Sequence, residues 1–108
     1  MSQKILQINF KFSVSQAELE QAFAPAAQPV ADTPGLRWKI WLVNGADHEA
    51  GGIHLFDDEA SLQAYLNGPI VASVGSNPAL SDVSVKVFDT IDALTLITRG
   101  PIREGTRA

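Results

Sequence analysis

The stretch GLRWKIWLVNGADHEAGGIHLF, residues 35–56, predicts two β-strands that pair across a polar loop. Its first half, LRWKIWLV (36–43), is rich in the β-branched and aromatic side chains that favour strands. GGIHLF (51–56) predicts the second strand, and the polar run NGADHEA between them is longer than the tightest hairpin turns. The stretch therefore predicts an antiparallel hairpin in the middle of the chain.

The segment before the hairpin predicts a strand followed by a helix. KILQINFKF (4–12) alternates apolar and polar residues, and this period of two indicates a strand with one buried face. Ser15 and Glu18 have the spacing of a capping box, in which free backbone amides at a helix start are satisfied by side chains. Pro25 has no amide hydrogen, so we expect it to kink or interrupt this helix.

The segment after the hairpin repeats this pattern. DDEASLQAYL (57–66) predicts a second helix, which Asp57 or Asp58 can cap. DVSVKVFD (82–89) predicts a fourth strand, and DALTLITRG (92–100) predicts a short final helix.

The order β-α-β-β-α-β is typical of the ferredoxin-like, α+β fold. It predicts one domain over residues 1–98, built as a four-stranded antiparallel sheet with two helices on one face. Residues 99–108 are expected to form a loose tail or an arm that reaches a neighbour.

The second predicted strand has two different faces. Trp38 shares a face with apolar residues, which suggests the core side: Leu36, Ile40 and Leu42. The opposite face carries a mixed set: Arg37, Lys39, Trp41 and Val43. Because Trp41 makes that face too apolar to be fully hydrated, we expect a partner to cover it, most simply a second copy in a two-fold homodimer.

Composition and charge exclude several classes of protein. The 108 residues include no cysteine, which excludes disulfides, thiolate zinc sites, iron–sulfur clusters and cysteine nucleophiles. The net charge is −4 without a cluster of basic residues, which argues against a nucleic-acid partner. No apolar run reaches the roughly 18 residues of a membrane span, so no membrane partner is expected and the predicted location is cytoplasmic.

The histidines do not have the spacing of a metal site. His48-Glu49 resembles the start of a zincin motif, but Gly52 stands where the second histidine should fall, and the context is a loop. Gly51-Gly52 could let the backbone come close to a ligand, but the pair fits neither a dinucleotide fingerprint nor a phosphate-binding loop. A bulge, or a spot where another chain packs closely, is the favoured explanation. We therefore predict no metal and no bound cofactor.

Three segments carry a resemblance to a known family. PGLRWKIW, HEAGGIHLFDDEASLQAYL and the later VKVFD resemble the YdhR-type mono-oxygenases, and the similarity extends over residues 4–98. The resemblance implies a ferredoxin-like fold paired into a dimeric α/β barrel. It also implies a relationship to small mono-oxygenases of antibiotic biosynthesis, which oxidise aromatic polyketides without metal or flavin. The same fold includes haem-degrading enzymes.

The resemblance and the residues together suggest a site. The positions that match the family pattern are Gly35, Trp38, Lys39, Trp41, His48, Glu49, Gly51, Gly52, Phe56 and Tyr65. In the resulting hypothesis, His48 or His54 takes a proton from the substrate and Tyr65 donates to the oxyanion that forms. Trp38, Trp41 and Phe56 wall the pocket, and Lys39 and Glu49 also bind the substrate.

Simpler interpretations stay open for most of these residues. Trp38 could belong to the core, Tyr65 could be an amphipathic helix residue with a hydrated hydroxyl group, and His48 and Glu49 could form a solvated loop.

The predicted reaction is the oxidation of a small electron-rich aromatic compound by molecular oxygen. Without a cofactor, the electrons must come from the substrate, such as a phenol, hydroquinone or anthrone. The alternatives are a protein that binds a hydrophobic small molecule without chemistry, or a haem-binding or haem-degrading protein with one histidine as the axial ligand.

Overall fold

The computed structural model describes residues 3–102 and confirms the ferredoxin-like fold. The strands are β1 Lys4–Phe12, β2 Leu36–Asn44, β3 Glu49–Phe56 and β4 Leu80–Asp89. The helices are α1 Gln16–Phe23, α2 Ala27–Ala31, α3 Glu59–Leu66, α4 Pro69–Ser76 and α5 Asp92–Ile97. The sheet has the order β2-β3-β1-β4 with antiparallel pairing throughout. Of the predicted tail over 99–108, residues 103–108 lie outside the described part of the chain.

The predicted helix signals are present as local contacts. Ser15 Oγ accepts a hydrogen bond from the Glu18 amide at 3.1 Å, and the Ser15 amide donates to Glu18 Oε1 at 3.2 Å, which completes the capping box. The helix ends at Phe23, and Pro25 lies in a 3₁₀ turn that separates α1 from α2. Asp58 caps α3 by accepting from the Ser61 amide at 2.8 Å, and this hydrogen bond lowers the pKa of Asp58.

The core lies between the helices and one face of the sheet. The alternating apolar residues of β1 form its floor, as their spacing predicts: Leu6, Ile8, Phe10 and Phe12. Leu19 of α1 and Leu62 of α3 close the core from the helix side. The core face of β1 continues onto β3, where His54 pairs with Leu6 and Gly52 pairs with Ile8.

The predicted orientation of β2 is wrong. Lys39 pairs with His54, and Trp41 pairs with Gly52, so both side chains lie on the face that the helices cover. Trp38 pairs with Leu55 and lies on the opposite face, which we call the open face. An irregularity between Leu36 and Trp38 explains part of the error, because an extra residue in one strand reverses the alternation of side chains beyond it.

The segment after β4 crosses to the open face. A groove there is lined by Ile5 and Trp38 of the sheet and by Leu94 of α5. Trp38 Nε1 donates a hydrogen bond to the carbonyl oxygen of Pro101 at 2.7 Å. The final helix was expected, but its packing against the face opposite the other helices was not.

Candidate functional site

A cavity of about 180 Å³ lies between the sheet and the helices. Most of its wall is apolar and comes from β1, β2 and the helices: Ile8, Phe10, Phe23, Trp41, Ile70, Val71 and Val74. Three side chains that can exchange or hold a proton also line it, namely Lys39, His54 and Tyr65. An apolar cleft with a few convergent polar groups is typical of a small-molecule site.

His54 is a buried, neutral imidazole in this cavity. Its side chain is 1% exposed, and burial lowers its pKa to about 4, with a further contribution from the charge of Lys39. His54 Nδ1 lies 3.0 Å from the carbonyl oxygen of Leu6. Because a carbonyl can only accept, Nδ1 must carry the hydrogen and Nε2 must present its lone pair.

Tyr65 forms a hydrogen bond with Nε2 of His54. Its hydroxyl oxygen lies 3.3 Å from His54 Nε2, so the phenol donates to the imidazole. Burial raises the pKa of Tyr65 to about 12, which keeps the phenol protonated at neutral pH. Phe56 supports both rings, with centroids 5.4 Å from Tyr65 and 6.2 Å from His54. Phe56 is fully buried and belongs to the core behind the cavity, rather than to the cavity wall.

The amino group of Lys39 is the third polar group in the cavity. Its Nζ lies 3.6 Å from the centroid of the Trp41 ring, within the range of a cation–π interaction. Burial lowers the pKa of Lys39 to about 8. Over residues 3–102, no carboxylate forms a salt bridge with Lys39.

Gly52 makes room for the lysine. A Cβ atom at this position would lie 2.6 Å from Lys39 Cε and 3.2 Å from the carbonyl oxygen of Ile40. The bulge that could have explained the glycine pair is not found there, since β3 pairs regularly with β1 through both glycines. Gly52 thus permits the close approach that was the other interpretation, with a lysine side chain as the neighbour.

Besides Phe56, three predicted site residues do not line the cavity. His48 lies in the loop between β2 and β3, where its ring packs against Phe12 with a centroid distance of 5.2 Å. Glu49 shares the open face with Asn9, whose Nδ2 donates to Glu49 Oε2 at 3.4 Å. Trp38 also lies on the open face. Of the eight predicted residues, the structure brings Lys39, Trp41, His54 and Tyr65 together.

Two parts of the wall were not predicted. Phe23 lies between Phe10 and Trp41, with ring centroids 5.8 Å from each. Leu19 and Phe23 are four residues apart on α1, a spacing that places both on one helix face, but no local pattern shows that this face borders a cavity. The other part is α4, whose Ile70, Val71 and Val74 follow one helix face.

The described part of the chain contains neither a cluster of metal-binding side chains nor a membrane-spanning helix. Within residues 3–102, no three side chains of the types His, Cys, Asp or Glu come together as a possible metal site. None of the described helices is long and apolar enough to cross a membrane.

The family of the chain follows from a match over nearly all of this domain. The model of the family described as "Putative mono-oxygenase ydhR" matches residues 5–101. The chain belongs to the YdhR family. The resemblance noted in the sequence is therefore confirmed, and the match includes the strands and helices that form the cavity.

Solved structures share the fold. A protein of unknown function from Nitrosomonas europaea is 26% identical, with a TM-score of 0.72 over 84% of this chain and 91% of its own. SnoaB, a cofactor-independent oxygenase from Streptomyces nogalater, is 22% identical, with a TM-score of 0.68 over 83% and 94%. The haem degrader MhuD from Mycobacterium tuberculosis is 24% identical, with a TM-score of 0.63 over 81% and 95%. The last two likenesses show the fold alone. No curated protein matches the chain.

Proposed function

We propose that this YdhR-family protein is a cofactor-independent mono-oxygenase that oxidises a small electron-rich aromatic compound in the cavity between sheet and helices. The observation that carries the proposal is the placement of Tyr65, His54 and Lys39 together in a mostly apolar cavity. The family description and the fold shared with SnoaB, a cofactor-independent oxygenase, support the same reaction class.

The electron balance of such a reaction requires no external reductant. In an anthrone, a CH₂ group becomes a carbonyl group, one atom of O₂ enters the product and the other leaves as water. The substrate must first lose a proton, because its anion gives an electron to oxygen more readily than the neutral form. The protein would exclude water, hold the ring and stabilise the anion.

The size of the cavity suggests a compact substrate. Its volume of about 180 Å³ is below the roughly 300–1,000 Å³ of pockets for drug-sized ligands. Trp41 and Phe23 offer aromatic faces for the ring, and Val71 of α4 offers an aliphatic one. A compound with two or three fused rings would require Phe23 or α4 to move outward.

Haem does not fit the residues of this cavity. Both nitrogens of His54 are engaged, Nδ1 with Leu6 and Nε2 with Tyr65, so neither is free to bind iron. His48 is exposed in a loop outside the cavity. The volume argues in the same direction, and haem is therefore not part of the proposed chemistry.

Oxygen uptake by the purified, chelator-treated protein tests the proposal. A small hydroquinone and a catechol would serve as substrates, and dithranol would show whether a compound with three fused rings can enter. The variants would be Tyr65→Phe and His54→Gln. We expect uptake that survives chelation and falls by about tenfold in both variants, because Tyr65 would hydrogen-bond the substrate and His54 orients Tyr65.

His48→Gln is the matched control, because it changes the other histidine outside the cavity. Uptake that is equal in Tyr65→Phe and wild type would contradict the assignment of this site. No uptake with any substrate, together with quenching of tryptophan fluorescence by the same compounds, would identify a binding protein without oxygenase chemistry.

We further propose that the protein is a cytoplasmic homodimer joined through the open face of the sheet. Apolar side chains are exposed there, including Ile40 at 51% and Phe88 at 47%, and a stable monomer rarely leaves such a patch uncovered. Light scattering at micromolar concentration measures the mass directly. A monomer under these conditions would refute the dimer.

A further inference from the structure

The hydrogen bonds of the cavity determine which group can accept a proton from a ligand. His54 uses Nδ1–H on Leu6 and the lone pair of Nε2 on Tyr65. To accept a substrate proton, His54 would have to give up the hydrogen bond from Tyr65 and become a cation beside Lys39. Neither ring nitrogen is available without breaking a buried hydrogen bond and leaving a polar group unsatisfied.

The other candidate bases lie elsewhere. His48 is in the exposed loop, and Glu49 is on the open face. Every element around the cavity contributes to its lining, and only Lys39, His54 and Tyr65 among the lining residues can titrate. β1, β4, α1, α2 and α4 present apolar or uncharged side chains there.

We propose that Lys39 is the catalytic base of this site and afterwards the counter-ion of the substrate anion. This inference rests on the proposed function and names the residue that starts the reaction. The neutral amine of Lys39 takes the hydroxyl proton of the substrate, so that an N–H bond forms and the O–H bond breaks. The electron pair stays on the phenolate or enolate oxygen, beside the new ammonium group.

The surroundings of Lys39 suit both states of its side chain. The Trp41 ring stabilises the ammonium group by its electron-rich face, and Gly52 leaves space for the lysine chain beside the sheet. With a pKa of about 8, roughly one amine in ten is neutral at pH 7, compared with fewer than one in a thousand for an ordinary lysine. Within residues 3–102, no carboxylate forms a salt bridge with the ammonium group of Lys39. A bound substrate anion would therefore supply its counter-charge.

The proton balance closes within the cavity. Lys39 holds the substrate proton while the substrate anion is oxidised and a peroxide forms on the ring carbon. The ammonium group then returns that proton to the outer peroxide oxygen. The remaining C–H bond of the same carbon breaks as the carbonyl group forms and the O–O bond breaks, and its proton joins the departing hydroxide to give water. Tyr65, oriented by His54, keeps its own proton and can accept a hydrogen bond from the substrate hydroxyl group before the transfer.

An anaerobic binding experiment tests the base separately from the oxidation. 4-Nitrophenol is the probe, because its anion absorbs at longer wavelength than its neutral form and it need not react with oxygen. We expect wild-type protein to bind it as the anion and to lower its apparent pKa by about 1 unit or more, as an opposite charge nearby does. Lys39→Met should abolish this shift, and Lys11→Met, which changes an exposed lysine, should retain it.

Lys39→Arg separates the base from the counter-ion. Arginine keeps the positive charge but has no neutral form at these pH values. The bound probe should therefore remain anionic in Lys39→Arg. Oxygen uptake by this variant should fall on the order of 10²-fold at pH 7, and it should recover when the pH is raised until the substrate ionises without a base. If Lys39→Arg consumes oxygen at pH 7 as fast as the wild type does, Lys39 is not the base.

The outcomes distinguish this inference from the proposed function. Oxygen uptake that is equal in wild type and Lys39→Met would overturn the role of Lys39 and leave the oxygenase intact. An anionic probe that requires Lys39, without uptake of oxygen by any substrate, would support the anion site and refute the oxygenase. Thermal unfolding of Lys39→Met, and of Lys39→Gln as a second variant, excludes misfolding as the cause of a loss.

Discussion

The buried histidine predicts a specific loss of stability in mild acid. His54 has a folded-state pKa of about 4, compared with 6.5 for an unperturbed histidine. The unfolded chain therefore binds one proton more than the folded chain between these two values, and the free energy of unfolding falls as the pH falls through this window. The contribution of His54 is fully present above pH 6.5 and is lost by about pH 4.

The magnitude follows from the separation of the two pKa values. Each pH unit corresponds to about 1.4 kcal/mol, so the whole window corresponds to roughly 3 kcal/mol. Between neutral pH and pH 5, the expected loss is about 2 kcal/mol, which is large for a domain whose total stability is about 5–15 kcal/mol. The lowered pKa of Asp58 acts in the same direction near its own, more acidic range, so the measurement should stop at about pH 5.

Urea unfolding at several pH values between about 5 and 8 measures this contribution. We expect wild type to lose about 2 kcal/mol toward pH 5, and His54→Gln to have a much flatter profile with lower stability at pH 8. His48→Gln is the control and should follow the wild-type profile, because that histidine is exposed in a loop. A profile in His54→Gln that remains as steep as in wild type would show that the buried imidazole is not the group that titrates.

Three further substitutions test neighbouring contacts. Tyr65→Phe should cost about 1 kcal/mol by removing one hydrogen bond, and a double-mutant cycle with His54→Gln by urea unfolding should show coupling of similar size; additive effects would argue against the contact. Gly52→Ala should weaken the binding of 4-nitrophenol and lower the free energy of unfolding by about 1–3 kcal/mol, because the added methyl group meets Lys39 and the backbone. Unchanged binding of 4-nitrophenol would show that the position of Lys39 does not matter for the ligand. His48→Gly should raise the melting temperature, with a gain of about 0.5–1 kcal/mol, because His48 has a φ of +52°; a lower melting temperature would mean that its ring contact outweighs the strain.

The fold could be predicted because its signals are local. The alternation of β1 is strict, with one apolar and one polar row, and the capping box of Ser15 and Glu18 lies within four consecutive residues. With such a pattern, only one orientation of strand β1 buries its apolar side chains. The family resemblance agreed with this order of elements.

The orientation of β2 could not be predicted in the same way. One of its rows is entirely apolar and the other contains Arg37 and Lys39, so apolarity alone favours the wrong face. The register with β3 decides between them, and it depends on pairing between strands and on the irregularity before Trp38. The glycine pair was a partial signal, because a close approach was one of its explanations, and the structure places Lys39 and Trp41 beside Gly52.

Proximity in the sequence was also misleading for the site. His48 and Glu49 are adjacent to the glycine pair, yet the strand alternation and the loop carry them away from the cavity. His54 and Tyr65 are eleven residues apart and belong to different elements, yet they share a hydrogen bond. The packing of α3 over β3 brings the two side chains together. No local sequence pattern predicts the distance between His54 and Tyr65.

The electrostatics of the cavity connect these residues into one system. Lys39 and His54 lie opposite each other in the sheet, and the charge of the lysine contributes to the low pKa of the histidine. Two cations in this small apolar space would repel each other with little solvent to screen them, so the cavity accommodates one positive charge at a time. Lys39 has the higher pKa and holds that charge. The neutral imidazole then orients Tyr65, and none of the residues that line the cavity is a carboxylate. This charge balance supports the proposal that the cavity binds its ligand as an anion.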